Sequence, residues 1–564
     1  MKTPSMLACV LLAAGLVSSL AHAAESFPVA IQVDAAKTKG PLTPVWRFFG
    51  ADEPNYATMK DGQKLLKHLG ELKPQEVFFR THNLLTSGDG TPALKWGSTN
   101  MYTEDAQGRP VYDWTIVDRI FDSYIGRGVK PFAQIGFMPE ALSSKPQPYR
   151  HEWRPGLPYE NIITGWAYPP KDYDKWRELV YQWVKHCVER YGRAEVEQWY
   201  WEVWNEANGH YWKGTPEEWY KLHDYAIDGV RRALPTAKVG GPHSAGSGGK
   251  FMDDFLAHVV NGKNSATGQT GTPTDFVAFH AKGAPVFVDG HVRMGIANQL
   301  TAIDRGFGKI AAVPELKAKP IIIGESDPEG CAACQGLQNG YRNGTMYSSY
   351  TAASFARKYL LADKHGVNFE GAVTWAFEFE DQPWFAGFRA LATNGVDLPV
   401  LNVFRMFSKM GGERIAAVSS AEVPLEVMVK TGVREQPDVA ALASVTKTTI
   451  AVMVWHYHDD DVAGPDAAVT LRVAGFPADV HGVLMTHYRV DELHSNAYAE
   501  WKRLGSPIAP NEKQYAQLEA ASRLEQLGET TAVTVGTDGA AHVVFTLPRQ
   551  GVSLLIFDWS AAAK

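Results

Sequence analysis

Two hydrophobic rhythms alternate along this chain as far as residue 375, and a different one takes over after residue 400. In the first part, apolar runs at 46–50, 76–79, 130–135, 196–204, 238–242, 275–279, 321–325 and 373–375 predict strands. Most are continuously apolar, the pattern of strands covered on both faces. Between them lie stripes of helical period. The clearest spans 172–191, where Trp176, Leu179, Val180, Trp183, Val184, Cys187, Val188 and Tyr191 share one face and Gly192 ends the helix. Another opens at Thr215-Pro216-Glu217-Glu218, a capping-box pattern with Pro in the first turn, and stops at Pro235. A third, over 116–125, ends near Gly126 and Gly128. Eight strand–helix units predict a closed (β/α)8 barrel.

Beyond residue 400, short β-rich runs at 425–430, 449–457, 468–473, 482–489, 542–547 and 551–559 predict an all-β sandwich. The expected division is a signal peptide at 1–23, a barrel at 24–400 and an accessory β domain at 401–564. The alternating run 28–33 either opens the barrel domain or joins the β domain. A polar loop at 83–112 is long enough to suggest function. Within it, Trp96 and Tyr102 either line a binding subsite or pack on the barrel.

Chemistry enters at two strand ends. Val196 to Trp204 breaks off in Asn205-Glu206, and Ile321-Ile322-Ile323-Gly324 ends in Glu325. Barrel enzymes keep their reactive groups at the carboxyl ends of strands. Among Trp201, Trp204 and Trp212, the Glu206 carboxyl is expected to be partly desolvated, with a raised pKa suited to a general acid. Two such glutamates are what glycoside hydrolysis requires. Glu202 lies inside its strand, and Asp327 and Glu329 lie in the turn around Pro328, so they compete less well.

The segments Trp204-Asn205-Glu206, Arg80-Thr81-His82, Gly136 to Leu142, Val239 to Pro242, Phe279 to Gly283 and Thr374 to Phe377 together resemble glycoside hydrolase family 39 of clan A. The likeness covers about residues 30–420. Ala207 departs from it, since the family usually has Pro after the Asn-Glu pair. Family 39 holds β-xylosidases and α-L-iduronidases. The resemblance implies a retaining double displacement, with Glu325 as nucleophile and Glu206 as acid/base. Asn205 would bind the 2-hydroxyl, Arg80 and His280 would support the nucleophile, and Trp375 would floor the sugar subsite. His82 and His243 are weaker candidates for substrate contact, each read first as a structural histidine. The Gly136 to Leu142 segment leans to the xylosidase branch. Phe279 to Gly283 and Glu325 to Pro328 lean to the iduronidase branch, where Lys282 and Arg389 would meet a sugar carboxylate. A β-xyloside in short β-1,4-linked oligosaccharides is the first expectation, an L-arabinoside the next, and a uronoside the alternative. A sugar-binding barrel without turnover is the reading from another class.

The remaining features narrow the setting. Lys2, the apolar run from Met6 to Leu20 and Ala21-His22-Ala23 form an export signal, which places the mature protein in the periplasm or outside the cell. That run is too short to anchor a membrane. A formal charge of −7 argues against nucleic-acid and anionic-membrane partners. Cys187 sits on a helix core stripe, where a thiol is inert. Cys331-Ala332-Ala333-Cys334 fits either a small disulfide or half a zinc site, but no second Cys/His pair stands at metal spacing. Neither a cofactor nor a metal is expected.

Overall fold

The computed structural model describes residues 26–375 and 377–560, so residues 1–23, expected as an export signal, lie outside the described residues. Eight parallel strands close into a barrel. In chain order they are β1 (Phe48–Ala51), β2 (Val77–Thr81), β3 (Val129–Ile135), β4 (Tyr200–Val203), β5 (Lys238–Ser244), β6 (Phe276–His280), β7 (Ile321–Glu325) and β8 (Phe369–Trp375). Register closes the ring where Val373 pairs with Phe48. Nearly every residue of these strands is buried, because helices cover the outside and side chains fill the inside. The run expected as one strand from 196 is shorter, since Arg193–Val196 forms a helical turn first. Helix Tyr173–Tyr191 is capped by Asp172, whose side chain accepts from the backbone of Asp174 and Lys175. Thr215 and Glu218 form the expected capping box of helix Pro216–Ala233.

Two layers fill the barrel below the site. The lower one is aromatic: Phe48 stacks on Phe78 at 5.1 Å, and Tyr200 meets Phe78, Phe132 and Phe276 at 5.0–5.3 Å. Gly371 makes room for it, since a β-carbon there would stand 2.4 Å from the Phe48 ring. The upper layer is ionic and buried, and consists of Arg80, Glu202, Gln134 and His243.

A separate ten-stranded sheet forms the sandwich. Strand Phe27–Pro41 joins this sheet, antiparallel to Glu413–Ser419 and parallel to Ala467–Ala474. Ile31, Val33, Val452, Val454, Leu471 and Leu555 meet in its own core. Residues 425–430, expected as a strand, belong instead to a helix, Leu425–Thr431, bounded by Pro424 and Gly432. Met428 of that helix is buried beneath Arg357, which reaches across from a barrel helix to pair with Asp438 at 2.8 Å and Glu422 at 2.9 Å. These seams tie the sandwich to the side of the barrel. Among the described residues, no helix is long and apolar enough to cross a membrane.

Candidate active site

Glu325 ends β7 and Glu206 lies just past β4, so both reach the same rim. Trp204 and Glu206 take left-handed backbone conformations, with φ of 68° and 45°, which turns the chain sharply out of the strand. The Glu206 N–H donates to the His243 carbonyl at 2.9 Å and fixes that turn. One carboxylate oxygen each of Glu206 and Glu325, together with a His280 nitrogen, lie within 4.8 Å of one another.

The groups around them are basic. Arg80 donates through Nη1 to Glu325 at 3.2 Å and through Nη2 to Asn205 Oδ1 at 2.9 Å, while its Nε bonds Glu202 at 2.9 Å. His243 Nε2 lies 2.6 Å from Glu202 Oε2, the oxygen that also accepts from Arg80 Nε. Burial pushes the Glu202 carboxyl up, but Arg80 and His243 outweigh it and hold the pKa at about 2. Glu202 thus acts beneath the site as the anion that aims Arg80. His280 Nδ1 is 2.7 Å from Glu206 Oε1 and 3.6 Å from Glu325 Oε1. Lys282 pairs directly with Glu325 Oε2, and its Nζ is 3.5 Å from Glu206 Oε1.

Lys282 overturns the expected electrostatics of Glu206. Burial does push this carboxyl up, but the ammonium and His280 more than offset it, so the pKa is lowered. Glu325 is pushed up by burial too, yet Lys282, His280 and Arg80 hold it well below the usual carboxylate range. Two carboxylates and an imidazole are donors a cation accepts. Here, however, the Lys282 ammonium already supplies positive charge within that group.

The two glutamates face a cavity of about 320 Å³, lined also by Asp52, Asn205, Lys282, Trp375, Tyr159 and Tyr211. The Trp375 ring is packed between Arg80, at 5.1 Å, and His82, at 4.4 Å. His82 Nε2 stands 3.8 Å from Glu325 Oε1, behind the cavity wall. Arg389, expected to meet a sugar carboxylate, does not line the cavity. Its side chain has 0% exposure and is spent on Glu329, at 3.0 Å, and Asp327, at 3.6 Å. Asp327 in turn accepts the Trp375 N–H at 2.9 Å, so Arg389 steadies the end of β8. Cys331 and Cys334 form a disulfide, and Cys331 lines the cavity.

The model of glycosyl hydrolases family 39 matches residues 29–537. The chain belongs to family 39. It is therefore a glycoside hydrolase. A β-xylosidase of Geobacillus stearothermophilus is 26% identical over 90% of this chain and 92% of its own length. An α-L-iduronidase of Mus musculus is 25% identical over 87% of this chain and 75% of its own. In fold, a monomeric β-xylosidase from Caulobacter crescentus superposes with a TM-score of 0.72 at 21% identity, covering 94% of this chain and 99% of that one. In this family 39 chain, sequence reading passed over Asp52, Tyr159 and Tyr211. Asp52 carries one usable signal, its place directly after the apolar run of β1. Tyr159 opens a single short 3-10 helix and Tyr211 lies in a turn, and neither carries a signal.

Proposed function

We propose that this hydrolase is an exported, retaining, exo-acting glycosidase of neutral pentosides, with β-xylosides of short β-1,4-linked chains first and α-L-arabinosides next. The spacing of Glu206 and Glu325 carries the reading. Their nearest oxygens stand within 4.8 Å, close to the separation for double displacement and short of the wider gap that admits a water in single displacement. Glu325, held ionised, attacks the anomeric carbon while Glu206 protonates the leaving oxygen. Glu206 then takes a proton from the water that releases the sugar. With Asn205 Oδ1 committed to Arg80, its amide N–H groups are left to donate to the 2-hydroxyl.

A neutral sugar is favoured because Lys282 is already paired and Arg389 is spent elsewhere. The near-complete overlap with a β-xylosidase supports the same choice. The partial exposure of Lys282 at the cavity, 19% of its side chain, favours a second reading, in which a uronate draws the ammonium away from Glu325. Initial rates on nitrophenyl β-xyloside, α-L-arabinoside and α-L-iduronide decide between them. The xyloside is expected to be fastest, and a faster uronide would install the second reading. Export is supported by the signal at 1–23, and a mature chain starting at Ala24 in the periplasm or medium is the expected result.

A further inference from the structure

The mechanism above leaves a buried anion unused. Asp52 follows β1 directly, and its side chain keeps 10% exposure at the wall of the catalytic cavity. Lys95, from the long loop after β2, pairs with Asp52 Oδ2. His82 Nδ1 lies 2.9 Å from Asp52 Oδ1, and the other nitrogen of the same ring lies 3.8 Å from Glu325 Oε1. Asp52 therefore stands one imidazole away from the nucleophile. Burial pushes its carboxyl up, but Lys95 and then His82 outweigh this and keep it an anion. Its support is rigid: the Lys95 N–H donates to Glu53 at 2.7 Å, and Asn83 donates to the Asp52 carbonyl at 2.8 Å. Lys95 also sits 5.6 Å over the Tyr159 ring, which lines the same cavity.

Each oxygen of a carboxylate accepts more than one hydrogen bond, so Lys95 and His82 leave acceptor capacity toward the cavity. With Glu325 at the anomeric carbon, an anion one imidazole away meets the hydroxyls on the opposite side of a pyranose ring. We propose that Asp52 is a specificity-determining acceptor that grips the two hydroxyls farthest from the anomeric carbon, so that the enzyme takes a terminal, neutral pyranose with both of those hydroxyls free. This deepens the function proposed above and rests on it. A sugar further substituted at either hydroxyl loses its place at the wall, which makes the action exo. A carboxylate on that side of the ring is repelled.

The test is a cycle of kcat/KM values for the full chain and Asp52→Asn on a nitrophenyl glycoside and on its 3-deoxy and 4-deoxy analogues. The parent is whichever glycoside the unmodified enzyme turns over fastest, so an error about the sugar itself shows in that first comparison. The unmodified enzyme is expected to lose about 30-fold with each deoxy analogue, the discrimination of a hydrogen bond to a charged acceptor. Asp52→Asn is expected to lose under about 5-fold, because the charged acceptor is already gone. Equal losses in both enzymes would overturn the assignment. Should Lys95, left unpaired, unfold that variant, Asp52→Asn/Lys95→Met removes the stranded charge and the same cycle applies. No loss of rate on deoxy analogues in the unmodified enzyme would overturn it as well.

Discussion

The ammonium of Lys282 is paired with the carboxylate of Glu325, and it stands 3.5 Å from Glu206 as well. One lysine thus sets the charge state of both glutamates. Turnover needs Glu325 ionised and Glu206 protonated. Burial pushes both carboxyls up, but Lys282 offsets this and leaves both pKa values lowered, Glu325 the further of the two. In the free enzyme the working combination therefore exists on the acid side of neutrality.

The pH profile of kcat/KM is expected to peak at acid pH, with Glu206 setting its alkaline limb. Lys282→Met takes away the charge that lowers both carboxyls, so both limbs should move to higher pH. An alkaline limb that stays in place in Lys282→Met would mean that another group sets it.

Removing the acid separates the two chemical steps. Glu206→Ala is expected to lose about 10²- to 10⁴-fold on a nitrophenyl glycoside, the usual worth of general acid–base catalysis. The loss should be far smaller with a dinitrophenol leaving group, which departs without help. Azide should restore turnover and give a glycosyl azide of the substrate's own anomeric configuration. An azide product of the opposite configuration would rule out a covalent intermediate on Glu325. Glu325→Gln should lose on the order of 10⁴-fold or more with no rescue of this kind.

How much of this was legible in the chain follows from burial. The barrel strands announce themselves because parallel strands are covered on both faces and become continuous apolar runs. Glu206 and Glu325 announce themselves because each ends such a run in a carboxyl. The segment 425–430 misled because its alternating apolar residues suit a strand as well as a short helix. The flanking Pro424 and Gly432 were the better guide. The electrostatics of Glu206 could not be read locally, since the charge that governs it comes from the end of another strand, β6. Arg389 pairs with the turn after β7 for the same reason, as tertiary neighbours and not sequence neighbours decide where a long side chain goes.

The ionic layer beneath the site makes an acid-stability prediction. The Glu202 pKa is 4.5 in its unperturbed form and about 2 in the fold, where burial raises it but Arg80 and His243 lower it further. A depressed carboxyl adds stability that is fully present above its unfolded pKa and is lost as pH falls through the folded one. That contribution is about 3 kcal/mol, lost between roughly pH 4.5 and 2. Urea midpoints should fall over this window in the unmodified enzyme and fall less steeply in Glu202→Gln. Arg80→Met strands the buried carboxylate and should cost about 3–5 kcal/mol at pH 7. A midpoint unchanged in Arg80→Met would contradict the role given to this layer.

Gly324 offers a steric test of the same support. It precedes the nucleophile in β7, and a β-carbon there would stand 2.2 Å from His243 Nδ1. His243 is fully buried and lies 2.6 Å from Glu202, so its ring has no free space to retreat into. In Gly324→Ala the imidazole must shift, Glu202 loses one of its partners, and Arg80 follows the carboxylate away from Glu325. The expected result is a loss of about 1–3 kcal/mol in stability, the usual cost of overpacking. It should come with a fall in kcat on nitrophenyl glycosides larger than any rise in KM, because the nucleophile is misplaced while the cavity walls stay in position. Gly324→Ala/His243→Ala opens space for the added methyl and should recover part of the stability lost in Gly324→Ala. No difference between the single and double variants would show that His243 is not what the new β-carbon meets.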